Sequence, residues 1–207
     1  MKYKSVLAIG AHPDDVEFSC LGFLLQLSDQ GTEINVYIAS NGSKGDPSSG
    51  PHRLQESNEA FSCIKDVSVF TNNVSGIPET AYEKLSSEIR SLLLEIKPDL
   101  ILVHDSNDTH QEHRYLHDIV ITAARRCPVS IFTYKSVSVT AAFQENIFVD
   151  IEKYLDKKIL ALSKHVSQAE HEYMSTDFIN SYHHNWFGRM HNMGAIESYC
   201  IKQLIEK

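Results

Sequence analysis

Little in the chain suits a nucleic-acid or membrane protein. Basic residues are scarce: 19 Lys and Arg stand against 27 Asp and Glu, a net charge of −8 over 207 residues. Neither a phosphate backbone nor insertion into an anionic membrane is therefore expected as the principal interaction. Long apolar runs are also missing. The opening stretch MKYKSVLAIGAHPDD stays apolar for only about half a dozen residues, so it reads as neither a signal peptide nor a spanning helix. The four cysteines, Cys20, Cys63, Cys127 and Cys200, show no CxxC spacing, and three of them lie in apolar patterns typical of buried free thiols. That argues against a thiolate metal site and for a reducing, cytoplasmic setting. There is no internal repeat, low-complexity tract or linker. The turn GAHPDD lacks the glycine spacing that close approach of a pyrophosphate requires. Its adjacent acids would repel phosphate, whereas they suit a divalent cation.

What is present is enough apolar side chain, 42% of the sequence, for one substantial core, so a single domain over residues 1–207 is expected. Short branched runs alternate with helical periodicity. A strand at Val6 to Ile9 precedes a helix from Val16 to Gln30, which Gly31 stops. A second strand, Glu33 to Ser40, leads into the loop NGSKGDPSSGP, placed to border a pocket. Helices near 52–64, 79–96 and 111–126 and strands near 67–70, 100–104 and 130–134 continue the pattern. This predicts an α/β fold, a Rossmann-like, doubly wound and mostly parallel sheet covered on both faces. After Ser136 the alternation weakens: a short strand is read at 146–149, a helix at 151–165, and an apolar element of open type at 195–205.

Ligands of open parallel sheets bind outside the carboxyl ends of strands, and two histidine-carboxylate clusters fall there. AHPDD follows the first strand, and DTHQEH follows the strand ending at His104. His12 and Asp15, three positions apart, can face one ion. His110 and His113 share a helix face that His117 continues. His12, Asp15 and His113 thus supply three nitrogen and oxygen ligands, the number a catalytic zinc uses while keeping a position for water, whose pKa it lowers to about 7. Amide hydrolysis also needs a base and an oxyanion stabiliser, and Asp14 and His110 are the unassigned neighbours. The bland alternative is a helix cap, with Asp14 or Asp15 accepting backbone amides at the start of the helix.

AHPDDVEFSCLG together with the D-x-H-x-x-H of Asp108, His110 and His113 resembles the PIG-L/LmbE zinc deacetylases, which remove N-acetyl groups from N-acetylglucosamine-type substrates. The likeness extends through SNGSKG (40–45), the R-x-x-E of Arg53 and Glu56, and residues 148–168. It implies an LmbE-like fold and one Zn2+ per chain held by His12, Asp15 and His113. It further implies Asp14 as general base, His110 as oxyanion stabiliser and acid, and Arg53 at the sugar pocket, where a surface ion pair with Glu56 is the competing role. Where the family usually has H-x-D-H, Glu112 replaces the aspartate expected to orient His110. Other readings stay open: hydrolysis of another acyl amide on a sugar conjugate, or a non-catalytic sugar-binding relative. His52, His104, His165, His171 and His191 are given structural or surface roles, His104 being close enough to support the site from behind. Trp186 and Phe187 are read as core or subunit-interface residues, which leaves a homo-oligomer open.

Overall fold

The computed structural model describes residues 3–44 and 49–206; Gly45 of the SNGSKG motif and residues 46–48 of the following loop lie outside the described residues. The chain runs β1 (Ser5–Gly10), α1 (Asp15–Asp29), β2 (Glu33–Ile38), α2 (Gly50–Phe61), β3 (Ser68–Thr71), α3 (Tyr82–Ile96), β4 (Leu100–His104), α4 (Gln111–Ala124) and β5 (Ser130–Tyr134). It continues through β6 (Ile147–Asp150), α5 (Leu155–Leu162), α6 (Thr176–His183), α7 (Trp186–Met190) and β7 (Ile196–Gln203). The seven strands form one sheet in the order β3-β2-β1-β4-β5-β7-β6. The first five are parallel, while β7 runs antiparallel between β5 and β6.

Strand alternation builds both layers of the core. From β1, Val6 and Ala8 join the side containing Leu21, Leu24 and Phe61, whereas Leu7 and Ile9 join the side containing Ile89, Leu93, Leu116 and Val120. Because successive side chains point to opposite faces, a strand buried on both sides reads as the continuous apolar run seen in the sequence. Truncating a fully buried leucine such as Leu21 or Leu24 would cost about 2–5 kcal/mol. Gly31, at φ 83, ends α1 with its amide on Ser28 O, a backbone conformation that costs glycine no steric strain.

The C-terminal third departs from its sequence reading. The helix expected over 151–165 splits into a 3-10 turn, Glu152–Tyr154, and the shorter α5. The terminal element is a strand, and α6 and α7 are additional helices. The physical reason in β7 is Glu197. It is 1% exposed and salt-bridged at 2.6 Å to fully buried Lys158, so a charged residue occupies a core position that periodicity assigns to an apolar one. Glu197 also accepts the amides of Gly22 and Phe23, each at 2.8 Å, tying α1 to α5 and β7. A third apolar cluster, Phe18, Ile151, Leu155, Leu162, Ile179 and Ala195, seals this layer beside the pocket.

Candidate active site

β1 and β4 are neighbours, with Val6 beside Leu100 and Ala8 beside Leu102. The chain leaves β1 towards β2 on one side and enters β4 from the other, so this is the switch point where an open sheet forms a crevice. Both histidine clusters converge on it. Gly10 ends β1, and Ala11 to Asp14 make the turn into α1, with the His12 amide donating to Asp15 Oδ2 at 2.7 Å. Asp14 takes φ 113, ψ −28, a strained conformation for a residue with a side chain. From β4, Asp108 accepts the His110 amide at 2.8 Å. His110 precedes α4, its Nδ1 accepting the Glu112 amide, and His113 lies one turn further along.

Around Asp15 the contacts are close. His113 Nε2 is 3.3 Å from Oδ1, while His12 Nδ1 and His104 Nε2 lie 3.4 and 3.1 Å from Oδ2. Each proposed imidazole ligand has a carboxylate behind it. Asp108 Oδ2 meets His113 Nδ1 at 3.0 Å, and Glu112 Oε2 meets His12 Nε2 at 2.9 Å. Such outer carboxylates fix ring orientation and tautomer in metal sites. Glu112 also receives Lys44 Nζ at 3.0 Å. Its carboxylate therefore serves His12 and Lys44, and it reaches His110 only through its backbone amide, contrary to the expectation that it orients His110.

Two overlapping sets of donors, His12, His110 and His113, and Asp15, His104 and His113, each lie within 4.8 Å of one another. Their shared member carries the test of fit: His113 Nε2 is buried and makes no well-formed hydrogen bond among the described residues, although Asp15 Oδ1 lies 3.3 Å away, while its Nδ1 is engaged by Asp108. A ring nitrogen facing mixed nitrogen and oxygen donors suits a zinc-type cation. Electrostatics agree. Despite burial, Asp15 and Glu112 raise the His12 imidazole to about 9, and Asp15 and Asp108 raise that of His113 to about 10. Positive charge is thus favoured at the centre. His104, by contrast, is pushed down to about 4 by burial and by His113, against whose ring it stacks at 3.7 Å.

Asp14 is 6% exposed, and burial together with Asp15 raises its carboxyl to about 6. Its Oδ2 accepts from Arg53 Nη2 at 3.4 Å and from the Tyr173 hydroxyl at 3.3 Å. Arg53 donates in addition to Gly42 O and Pro13 O at 2.8 and 2.9 Å. The alternative ion pair with Glu56 is not formed; Glu56 instead holds Ser167.

These groups line a cavity of about 630 Å³, whose wall includes the seven residues expected to carry the chemistry: His12, Asp14, Asp15, Arg53, His110, Glu112 and His113. Its size is that of a small-molecule site. Phe18, Lys44, Gln168 and Tyr173 also line it; none was given a role from the sequence, although Lys44 lies in the loop expected to border a pocket. His104 and Asp108 were visible as a strand end and a motif position, whereas nothing in the sequence brings Tyr173 to Asp14. Trp186 is 72% exposed and so outside the core, while Phe187 stacks on Phe148 at 3.5 Å. Of the cysteines, Cys20 and Cys200 are buried and Cys63 is exposed. Among the described residues no helix is long and apolar enough to cross a membrane.

Fold and site together define a Rossmann-like α/β protein with a histidine-carboxylate pocket at the switch point of its sheet. Residues 7–124 match the family model described as PIG-L, GlcNAc-PI de-N-acetylase, and the chain belongs to that family. Among curated relatives, the uncharacterized deacetylase YaiS of Escherichia coli K12 is 27% identical over 180 residues, covering 80% of this chain and 92% of its own length. The diacetylchitobiose deacetylase of Thermococcus kodakarensis is 24% identical, covering 80% and 70%. Among solved structures, the 4-carboxy-2-hydroxymuconate hydratase GalB of Pseudomonas putida KT2440 superposes with a TM-score of 0.84 at 16% identity, over 99% of both chains. The zinc-inhibited form of the teicoplanin deacetylase Orf2 gives 0.75 at 15%, over 96% and 99%. These likenesses carry the fold, and a fold that serves both a hydratase and a deacetylase does not by itself select the reaction.

Proposed function

We propose that this protein is a cytoplasmic, zinc-dependent hydrolase that removes the N-acetyl group from an N-acetylglucosamine-type amino sugar or conjugate. The observation that carries the reading is that His12 and His113 both meet Asp15, at 3.4 and 3.3 Å from its two carboxylate oxygens, beside the buried carboxylate of Asp14. Family membership and the deacetylase names of the curated relatives support the same reaction.

In this reading His12, Asp15 and His113 hold the cation. When bound, it supplies Lewis acidity towards the amide carbonyl and acidifies a water near neutral pH. Asp14, its carboxyl lifted to about 6, is ionised at neutral pH yet basic enough to take the proton of the attacking water. His110 is exposed at the pocket mouth, its ring centroid 4.9 Å from that of His12 and 4.4 Å from that of His113. Burial and His113 lower its imidazole, which favours a neutral ring able to donate one hydrogen bond to a developing oxyanion. Protonating the departing amine would require that ring first to gain a proton, and the one Asp14 takes from the water is released in the same pocket. Asp108 and Glu112 keep the two ligand imidazoles in place.

The test incubates zinc-loaded protein with N-acetylglucosamine, N,N′-diacetylchitobiose and other acetamido-sugar conjugates, scoring free amine and acetate together. Stoichiometric release is expected, and His113→Ala should lose metal retention and turnover together. A protein inert on every acetamido sugar but active in hydrating an unsaturated carboxylic acid would replace this reading.

A further inference from the structure

The peptide joining Pro13 to Asp14 is held from both ends. Its oxygen accepts from Arg53 Nη2 at 2.9 Å, and its N–H, the amide of Asp14, faces Glu17 Oε2 at 3.3 Å. This is the peptide that enters the left-handed conformation of Asp14, φ 113. Such backbone strain, of order 1–3 kcal/mol, persists only where surrounding contacts over-determine it.

Both holding groups are themselves fixed. Glu17 is fully buried and receives the Ser57 hydroxyl, with His165 Nε2 3.3 Å away. Arg53 is seated on Gly42, which has φ 67 and whose carbonyl accepts Nη1 at 2.8 Å. A Cβ on Gly42 would lie 2.4 Å from that nitrogen, so glycine is what permits the contact. The same Nη2 that holds Pro13 O also reaches Asp14 Oδ2. Nε, which makes no hydrogen bond among the described residues, is buried away from solvent, and the guanidinium is directed at protein acceptors.

We infer that Arg53 and Glu17 are positioning residues that pin the Pro13–Asp14 peptide from opposite ends, and that Arg53 acts through Asp14 rather than by gripping the sugar. The inference rests on the reading of Asp14 as the general base. Arg53 fixes both the backbone and the carboxylate of that residue, and Gly42 completes the device by letting the guanidinium settle.

The experiment compares Arg53→Lys, Gly42→Ala and the double variant, using N,N′-diacetylchitobiose as first probe and zinc affinity as a separate readout. Each single change should lower kcat roughly 10–100-fold, as a small misplacement of a catalytic group does. KM and zinc affinity should stay near wild type, and the double variant should be no worse than the poorer single one, because both remove the same device. Glu17→Gln, which keeps one oxygen for the Asp14 amide, should retain more turnover than Glu17→Ala. A raised KM with intact kcat in Arg53→Lys, or losses that multiply in the double variant, would overturn the inference while leaving the base untouched. Wild-type kcat in Asp14→Asn would instead overturn the reading beneath it.

Discussion

Replacing Asp108 with asparagine removes one negative charge, changes no volume, and tests how the centre is built. Asp108 is 3% exposed. Its Oδ2 faces His113 Nδ1 at 3.0 Å and accepts the Ser136 hydroxyl at 2.6 Å, while Oδ1 accepts the His110 amide at 2.8 Å and the Ser138 hydroxyl at 2.7 Å. A carboxylate only accepts, so His113 carries a proton on Nδ1, and with a cation bound in place of the second proton that Asp15 favours, Nε2 would offer it a lone pair. An asparagine amide set towards His113 would force Nδ1 to accept, moving the proton to Nε2 and closing that lone pair. Set the other way, the amide would confront the His110 N–H, leaving two buried donors facing each other at a cost of about 1–3 kcal/mol. Either arrangement should weaken zinc binding by about 10–100-fold, equivalent to about 1.4–2.7 kcal/mol. Competition with a chromophoric chelator measures this, with circular dichroism confirming the fold. An affinity within about twofold of wild type would refute the role of Asp108 behind His113.

Two further predictions concern stability away from the pocket. Lys158→Met strands the buried Glu197 carboxylate, a change that usually costs about 3–5 kcal/mol. Because the Gly22 and Phe23 amides and the Tyr199 hydroxyl still donate to Glu197, the loss in urea unfolding should fall at the lower end, and an unchanged midpoint would contradict the pairing. Burial, with Lys158 nearby, pushes the His183 imidazole well below its usual 6.5, so the folded chain holds it neutral while the unfolded chain protonates it below about 6.5. The unfolded state then binds the extra proton, so this group makes stability fall as the pH drops below about 6.5. His183→Asn, which offers its own N–H to Ile196 O in place of Nδ1, should remove that component. Identical acid slopes for the two proteins would exclude it.

The first two thirds of the fold was legible because β1, β2, β4 and β5 are buried on both faces, so their apolar runs and the helical periods beside them say the same thing. The metal-ligand candidates were legible because both clusters sit one turn beyond strand ends that the topology makes neighbours. Which imidazole Glu112 supports was not legible, for a local reason. His110 is its near neighbour in sequence, but residues two apart at a helix start face different ways, and the carboxylate crosses instead to His12 on another turn. The spacing of Arg53 and Glu56 on α2 permits pairing, yet Arg53 is drawn to carbonyls that only the folded turn presents. Tyr173 reaches the pocket from a segment with no periodicity or motif of its own, and Lys44 from a loop expected to border a pocket but with no role read for its side chain. In β7, the Lys158–Glu197 pair hides a core strand behind a charged residue.

The length of the Glu112 side chain is where this protein leaves its family's usual pattern, and it can be tested directly. From the first turn of α4, the carboxylate spans to His12 Nε2 at 2.9 Å and Lys44 Nζ at 3.0 Å. Glu112→Asp withdraws it by one methylene, about 1.5 Å, which takes both contacts beyond hydrogen-bonding distance unless α4 moves. His12 would then lose the group that fixes its ring, and zinc affinity should drop by about 10–100-fold. Lys44→Met separates the two contacts: it leaves Glu112 on His12 and should change zinc affinity much less. His110 meets Glu112 only through the backbone amide, at 3.3 Å, so turnover at saturating zinc should fall far less than metal affinity. If Glu112→Asp instead left zinc binding intact and depressed only turnover, its carboxylate would belong to His110 after all, and the pairing of one carboxylate behind each ligand imidazole would be wrong.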